Sequence, residues 1–468
     1  MLHIARKFRF AARFLSAYFR RYRLKALGLF LLLVVSSFLL YRLTPEILSG
    51  KNVYSEGIVG VYSGQNLPER ITSLVSSGLT KIGMDGQITG ALAENWEILE
   101  EGKIYRFHLN NNLYWQNGEK FKIRDANLQI DGVEISYPDD KTVEFKLSEP
   151  FAPFPALLSK PIFKKRSLIG TNSYTIKAIK RKNETVHEIV LHSKAQEKTK
   201  MTFKIYPTTT QAILAFKQGE VHAISQINQI NSLSTWPNVG FDKRIDNNSV
   251  VVIFLNTKKE IFSKKEIRQA VSKALRAEKL PGQVTASSIS GTSWAFNREL
   301  KGYEFADEKA IKTIQEANLQ NKQVLLAYLP SYQKLAENIA QDWRSLGLEV
   351  NLKQVNSVPQ EFDAFLAGQE IPKDPDQYSL WHSTQNVTNI TKIASPRIDK
   401  LLEDGRRIVD QKTRKEKYFE FQRAMSDEVP AIFLYYPEQY YIYWEKAKEE
   451  IDRLSNASVC FPRPCQLN

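Results

Sequence analysis

At 468 residues and a net charge of +14, the chain exceeds what one hydrophobic core organises and implies at least two lobes. The first fifty residues carry a net +8; the remaining +6 is interspersed with acids, as in Lys258-Lys259-Glu260, and reads as a solvated surface, not a nucleic-acid footprint. With no H-E-x-x-H, no glycine-rich phosphate loop ending in lysine and six scattered histidines, the zinc-hydrolase and nucleotide-binding classes are excluded.

Residues 1–25 hold eight Lys or Arg and no acid, and Ala26 to Tyr41 is an uncharged run of sixteen. At about 1.5 Å per residue this run reaches roughly 24 Å against a hydrocarbon core of about 30 Å. Leu24 and Leu43 lengthen it, and Lys25 and Arg42 can snorkel. The segment Phe38-Leu39-Leu40-Tyr41-Arg42 is bulky throughout and offers no small-x-small processing site, so the run reads as an uncleaved anchor, not a signal peptide. The expected layout is a basic cytoplasmic tail (1–25), a single transmembrane helix (26–43) and an extracytoplasmic remainder, by the positive-inside rule. The aromatic residues among the tail's arginines fit either a plain topology signal or an amphipathic segment on an anionic leaflet.

After the anchor, residues 88–121 read as short strands and turns. Tyr105, Phe107 and Leu109 alternate with Arg106, His108 and Asn110, the period-2 pattern of a half-buried strand. Asn117-Gly118 is a hairpin signal because both residues tolerate φ > 0. A second lobe is expected to open with a capping box at Ser263–Glu266, leading a helix through Ile267, Val271, Ala274 and Leu275. Val324–Tyr328, a helix striped by Leu335, Ile339, Trp343 and Leu346, the stop Gly347 and Leu348–Leu352 form a strand–helix–strand unit with parallel strands. Ser395-Pro396 and Asp410 each start a further helix, the last ending before Pro430. Cys460 and Cys465, outside the membrane with four residues between them, are expected to close a terminal disulfide; zinc lacks the histidines it would need nearby.

Several blocks resemble extracytoplasmic solute-binding proteins of family 5, the peptide- and oligopeptide-binding subunits of ABC importers. They are Leu92-Ala93-Glu94-Asn95-Trp96 with Tyr105–Leu109 and Trp115-Gln116-Asn117-Gly118, then Asp139–Leu147 with Pro150–Phe154, Gly170-Thr171-Asn172-Ser173-Tyr174, and Lys217–Val221. Phe254–Thr257 with Ile267–Val271, Asp374-Pro375-Asp376 with Ser395–Asp399, and Val429–Ile432 with Tyr435–Pro437 complete the order. The resemblance covers residues 55–445 and implies an α/β, two-lobed, periplasmic-binding-protein-like clamshell with discontinuous lobes. On it, lobe 1 comprises 44–78, 166–255 and 430–468, with a β-rich subdomain at 79–165, and lobe 2 comprises 256–429. The subdomain is trimmed, because Phe121–Ser136 and Lys160–Gly170 are too short for the helices the family inserts there. Hinge residues are expected at Asn256, Thr257 and Pro430.

No enzyme chemistry is expected, and no cofactor. The nearest approach to G-x-S-x-G, Gly291-Thr292-Ser293-Trp294-Ala295, fails at its last position. The family implies a solute, peptide first, captured between lobes and passed to ABC permease subunits, with no nucleic-acid partner. A membrane-anchored sensor or assembly factor that no longer transports is the alternative. Candidate ligand-binding residues are Glu370, Asp374, Asp376, Trp381, Trp294, Asn256 and Tyr436; Tyr435, Tyr441 and Tyr443 read equally as strand-face residues. In the peptide-binding members an aspartate upstream of Asp-Pro pairs with the ligand's amine. Ile371 stands at that position here, with Glu370 one residue away, so the anchor is missing or displaced. Asp376 either borders the cleft or caps the next segment.

Overall fold

A computed structural model of the chain describes residues 31–38, 52–64, 66–193, 199–276, 278, 280–300, 302 and 305–457. Lobe 1 is built on a seven-stranded sheet with the spatial order Val239–Ile245, Glu438–Trp444, Ala223–Ile227, Asn52–Val59, Thr199–Tyr206, Thr185–Ser193, Tyr174–Lys182. Asn52–Val59 lies parallel to both its neighbours, and the other pairs are antiparallel. One face packs Tyr54, Ile58, Met201, Phe203 and Tyr441 against Ile71 and Val75 of the helix Glu69–Val75. The other buries Ile224 and Ile442 beneath Ala212 and Phe216 of Thr209–Lys217, a helix capped by the Thr208 hydroxyl accepting from Gln211 N.

The six-stranded sheet of lobe 2 runs Gln283–Val284, Ala431–Tyr436, Ser249–Leu255, Ala364–Glu370, Gln323–Tyr328, Glu349–Gln354. Its strand Ser249–Leu255 is apolar on both sides because both faces are covered. Val251, Ile253 and Leu255 meet Ile267, Ile339 and Trp343, while Val250, Val252 and Phe254 meet Leu402, Phe421 and Met425. The strand–helix–strand unit is present as read: Gln323–Tyr328 and Glu349–Gln354 pair in parallel, and Gln333–Ser345 buries Leu335, Ile339 and Trp343. Gly347 ends it at φ +92°, a conformation glycine reaches without strain. Asp410 caps Gln411–Glu428 by accepting from Thr413 N at 2.8 Å, and Val429 leaves the helix at φ +43° just before Pro430.

One local expectation fails. Ser263 ends a one-turn helix, Glu260–Ser263, and its hydroxyl turns back to the Glu260 carbonyl. The helix that follows, Lys265–Lys273, starts from Lys264 without a side-chain cap, so no capping box forms.

Residues 79–165 form a four-stranded sheet, Ala93–Leu99, Ile104–Leu109, Thr142–Lys146, Glu134–Asp139, preceded by the hairpin Thr80–Ile82/Ile88–Gly90. Tyr105, Phe107 and Leu109 all point inward, packed with Trp115, Phe145 and Phe154.

The chain passes between the two large sheets twice, at 246–248 and at Pro437. This corrects the expected boundaries: Ser249–Leu255 and Ala431–Tyr436 both belong to lobe 2. Asn256, Thr257 and Pro430 lie at the far end of its sheet, where Phe254 pairs with Ala431. Of the expected membrane span, only 31–38 is among the described residues, and it is helical with exposed leucines. Among the described residues no helix is long and apolar enough to cross a membrane. Cys460 and Cys465 lie outside the described residues.

Candidate functional site

The two crossings are tied to each other. Asp246 N donates to the Pro437 carbonyl at 2.9 Å. The buried Asp246 carboxylate accepts from Asn248 N (3.1 Å), Ser249 Oγ (2.7 Å) and Gln439 Nε2 (2.8 Å). Turn-forming Asp-Asn-Asn suits this place, since its side chains satisfy backbone groups that leave both sheets. Arg244, just before the crossing, donates to Gln439 Oε1 at 2.7 Å; burial lowers its pKa, with nearby Arg70 adding to the effect and Asp246 opposing it.

Around this junction the lobes face each other across a trough. The hairpin tip 83–87 of the subdomain reaches lobe 2, where Trp294 N donates to the Asp85 carbonyl at 2.8 Å. Beside it lies a pocket of about 190 Å³ lined by Ile82, Gly83, Met84 and Gly86 of the hairpin, Asn247, Asn248, Ser290, Thr292, Ser293 and Ile371 to Lys373. A second pocket of about 320 Å³ shares Asn247 and Thr292 with the first and extends past Gln283, Thr285, Phe296 and Tyr436. Tyr436 closes its floor: the phenol accepts from Gly291 N (2.9 Å) and Thr285 Oγ1 (3.1 Å), and burial raises its pKa. At the rim Lys373 pairs with Glu69 of lobe 1 at 2.7 Å. Glu69 adjoins Arg70, whose guanidinium holds the fully buried Glu56 at 2.7 Å.

Behind the trough the acidic segment is held by arginines. Asp374 is gripped by Arg414 through two bonds of 3.1 and 2.6 Å, both side chains being nearly inaccessible. Arg414 also donates to the Gly405 carbonyl (2.7 Å) and the Tyr418 phenol (3.1 Å) and lies beneath Trp294. Asp376 accepts from Tyr378 N (3.0 Å) and Arg406 Nε (3.0 Å), and that guanidinium stacks on the Tyr378 ring.

Residues 87–389 match the bacterial extracellular solute-binding proteins, family 5 Middle. The chain belongs to this family. It is 23% identical over 450 residues to the dipeptide-binding protein of Escherichia coli, covering 76% of this chain and 82% of that one. To the oligopeptide-binding protein AppA of Bacillus subtilis it is 23% identical over 283 residues, 51% of each chain, so this match spans about half of that relative. Among solved structures, NikZ from Campylobacter jejuni in complex with Ni(L-His) superposes with a TM-score of 0.69 at 19% identity, covering 84% of this chain and 94% of that one. These likenesses carry the two-lobed α/β fold.

Within this family-5 framework the residues nominated from sequence divide into three groups. Tyr436, Trp294 and the neighbours of Glu370 gather at the lobe junction. Glu370 is exposed at the end of its strand, opposite Ser249; burial first, and the Glu370 charge second, raise the pKa of Tyr62 in lobe 1. Asp374 and Asp376 back the trough with their carboxylates engaged. Trp381 is buried in the lobe 2 core against Phe254 and Phe433, its indole N–H on Gln377. Asn256 is remote, bonded to Phe362 O and Asp363 O at the far end of the sheet. Sequence reading passed over Asp246, Asn247, Asn248, Gln283, Thr292 and Lys373. A polar Asp-Asn-Asn break between two strand-like runs was the available signal for the first three; nothing local marks the others. Among the described residues, no group of three or more His, Cys, Asp or Glu is placed to hold a metal ion.

Proposed function

We propose that this protein is a membrane-anchored extracytoplasmic solute receptor that captures a small solute, peptides being the first class to test, by closing its lobes and presents it to an ABC permease. The observation that carries the reading is the trough at a junction of two short crossings, with a rigid sheet on either side. Such a junction localises rotation, because packed lobes resist continuous deformation. Asp246-Asn247-Asn248 and Pro437 are the proposed hinge. The relatives' names, dipeptide-binding and oligopeptide-binding, support peptide as the class. The basic tail followed by an apolar run, helical at 31–38, supports the anchor and the outward orientation.

Small-angle scattering on the full chain in nanodiscs, with matched empty discs subtracted, tests closure: the radius of gyration of the protein should fall when a solute binds. No change with a solute demonstrably bound would defeat the clamshell mechanism. One observation favours the second reading, a membrane-anchored sensor or assembly factor that does not transport. The lobes touch directly, protein group to protein group, through Trp294 N to Asp85 O, Ala152 N to Arg406 O at 2.6 Å and Lys373 to Glu69. Native mass spectrometry discriminates the two: a copurifying solute supports capture, whereas solute-free protein that stays compact supports the second reading.

A further inference from the structure

We infer that the trough takes a solute without a free ammonium group, one whose polar atoms are neutral amides or hydroxyls; this rests on the solute-binding reading above. The first pocket is lined on its polar side by Asn247, Asn248, Ser290 and Thr292, and the second adds Gln283 and Thr285. Among the described residues Lys373 is the one charged residue in either lining, and its ammonium is paired with Glu69. Among the described residues no carboxylate lines either pocket. Of the acids adjoining lining residues, Asp246 is held by Asn248, Ser249 and Gln439, Asp374 by Arg414 and Glu299 by Arg423, while Asp85, which accepts from Gln87 N, and Glu370 stand outside both linings. An ammonium drawn into this space would surrender its hydration to neutral dipoles and a lysine of its own sign, with no described lining carboxylate to pair with, which disfavours it. Amide and hydroxyl side chains each offer both a donor and an acceptor, and so match an internal peptide group or a sugar hydroxyl. The loop that walls the second pocket also holds two buried polar atoms with no hydrogen-bond partner, Ser288 Oγ and Asn297 Nδ2, both uncharged.

The test measures binding to the full chain in nanodiscs by calorimetry, using three probes: a tripeptide library with free N-termini, the same library N-acetylated, and a mixture of neutral oligosaccharides. Acetylated peptides or neutral sugars should bind about ten-fold or more tightly than the free peptides, as expected where a buried polar group cannot be matched. Free peptides binding as tightly or better would overturn the inference and leave the solute-binding reading standing. Binding of none of the three would overturn both. The variant Thr292→Asp places a carboxylate at the boundary of the two pockets and should raise affinity for the free library about five-fold or more. An unchanged preference in a variant that still binds solute would put the ligand elsewhere and overturn the assignment.

Discussion

The Asp374–Arg414 pair offers the sharpest check on the geometry behind the trough. Asp374→Asn removes the countercharge and turns one acceptor oxygen into an amide NH2, leaving a guanidinium that is 6% exposed with only neutral acceptors: the Gly405 carbonyl, the Tyr418 phenol and the new amide oxygen. Breaking a buried pair by removing one partner costs about 3–5 kcal/mol, because the surviving charge has lost its compensation. Arg414→Met strands the carboxylate instead, which keeps Asp376 N as a donor at 2.9 Å, and should cost a similar amount. The double variant removes both charges, so its loss should fall short of the sum by about 2–3 kcal/mol. Urea denaturation followed by tryptophan emission is suited to the measurement, since Trp294 lies 5.7 Å from the Arg414 guanidinium. Single losses under about 1 kcal/mol, or strict additivity in the double variant, would refute the claim that this pair is desolvated and coupled.

Other positions separate structural from ligand roles. Asp376→Asn weakens both a turn bond and the Arg406 pair and should cost about 1–2 kcal/mol in denaturant with solute affinity unchanged; Glu370→Gln, exposed and outside the pockets, should leave both unchanged within error. Asp246→Ala frees three donors at the crossing and should cost about 2 kcal/mol, while the scattering change on ligand addition becomes smaller or vanishes. Bonds from Tyr440 and then Lys243 hold Glu438 below its ordinary carboxylate value. Its folded pKa is thus the lower one, so its contribution is complete above the unfolded value of 4.5 and is lost as the pH falls through the folded value. The Tm difference between wild type and Glu438→Gln should therefore shrink on acidification below that point, and a gap that widens would contradict the sign.

What was legible in the sequence was local. Tyr105, Phe107 and Leu109 announce a strand face by their spacing, Leu335, Ile339 and Trp343 announce a helix face, and Asp410 announces a cap; in each case the residues that decide the outcome are within a few positions of one another. The lobe boundary was not legible, because Ser249–Leu255 and Ala431–Tyr436 look like strands whichever sheet they join. Sheet membership is settled by hydrogen bonds to Ala364–Glu370 and to each other, across more than a hundred residues. The same distance defeated the acidic motif. Asp374-Pro375-Asp376 has the look of a recognition element, and only Arg414 and Arg406, placed by two later helices, show its carboxylates to be occupied.

On the proposed clamshell mechanism, the β-rich subdomain decides which contacts must break when the lobes part. It is fastened to lobe 1 by a part-buried set. Gln116 Nε2 donates to the carbonyls of Val75, Asn172 and Tyr174 at 2.9, 2.9 and 2.6 Å, while its Oε1 accepts from Gly170 N. Ile162 N bonds Ser77 O, and Ser76 Oγ donates to the Ile162 carbonyl. Its links to lobe 2 are fewer and lie towards the rim: Ala152 N to Arg406 O, Asp85 O from Trp294 N, Gln411 Nε2 to Gln87 Oε1 at 2.7 Å, and Arg407 near Glu149 at 3.8 Å. Exposed pairs of this kind are worth about 0–1 kcal/mol each, and a backbone bond that exchanges with water about 1 kcal/mol. The subdomain therefore moves with lobe 1, and opening costs a few kcal/mol at the lobe 2 rim. A solute can bias an equilibrium of that size only by as much as it prefers one state over the other. On the proposed capture mechanism the trough supplies that preference: its walls come from both lobes, Ile82, Gly83, Met84 and Gly86 on one side and Ser290, Thr292 and Ser293 on the other, so a solute would complete its contacts only when the lobes are together.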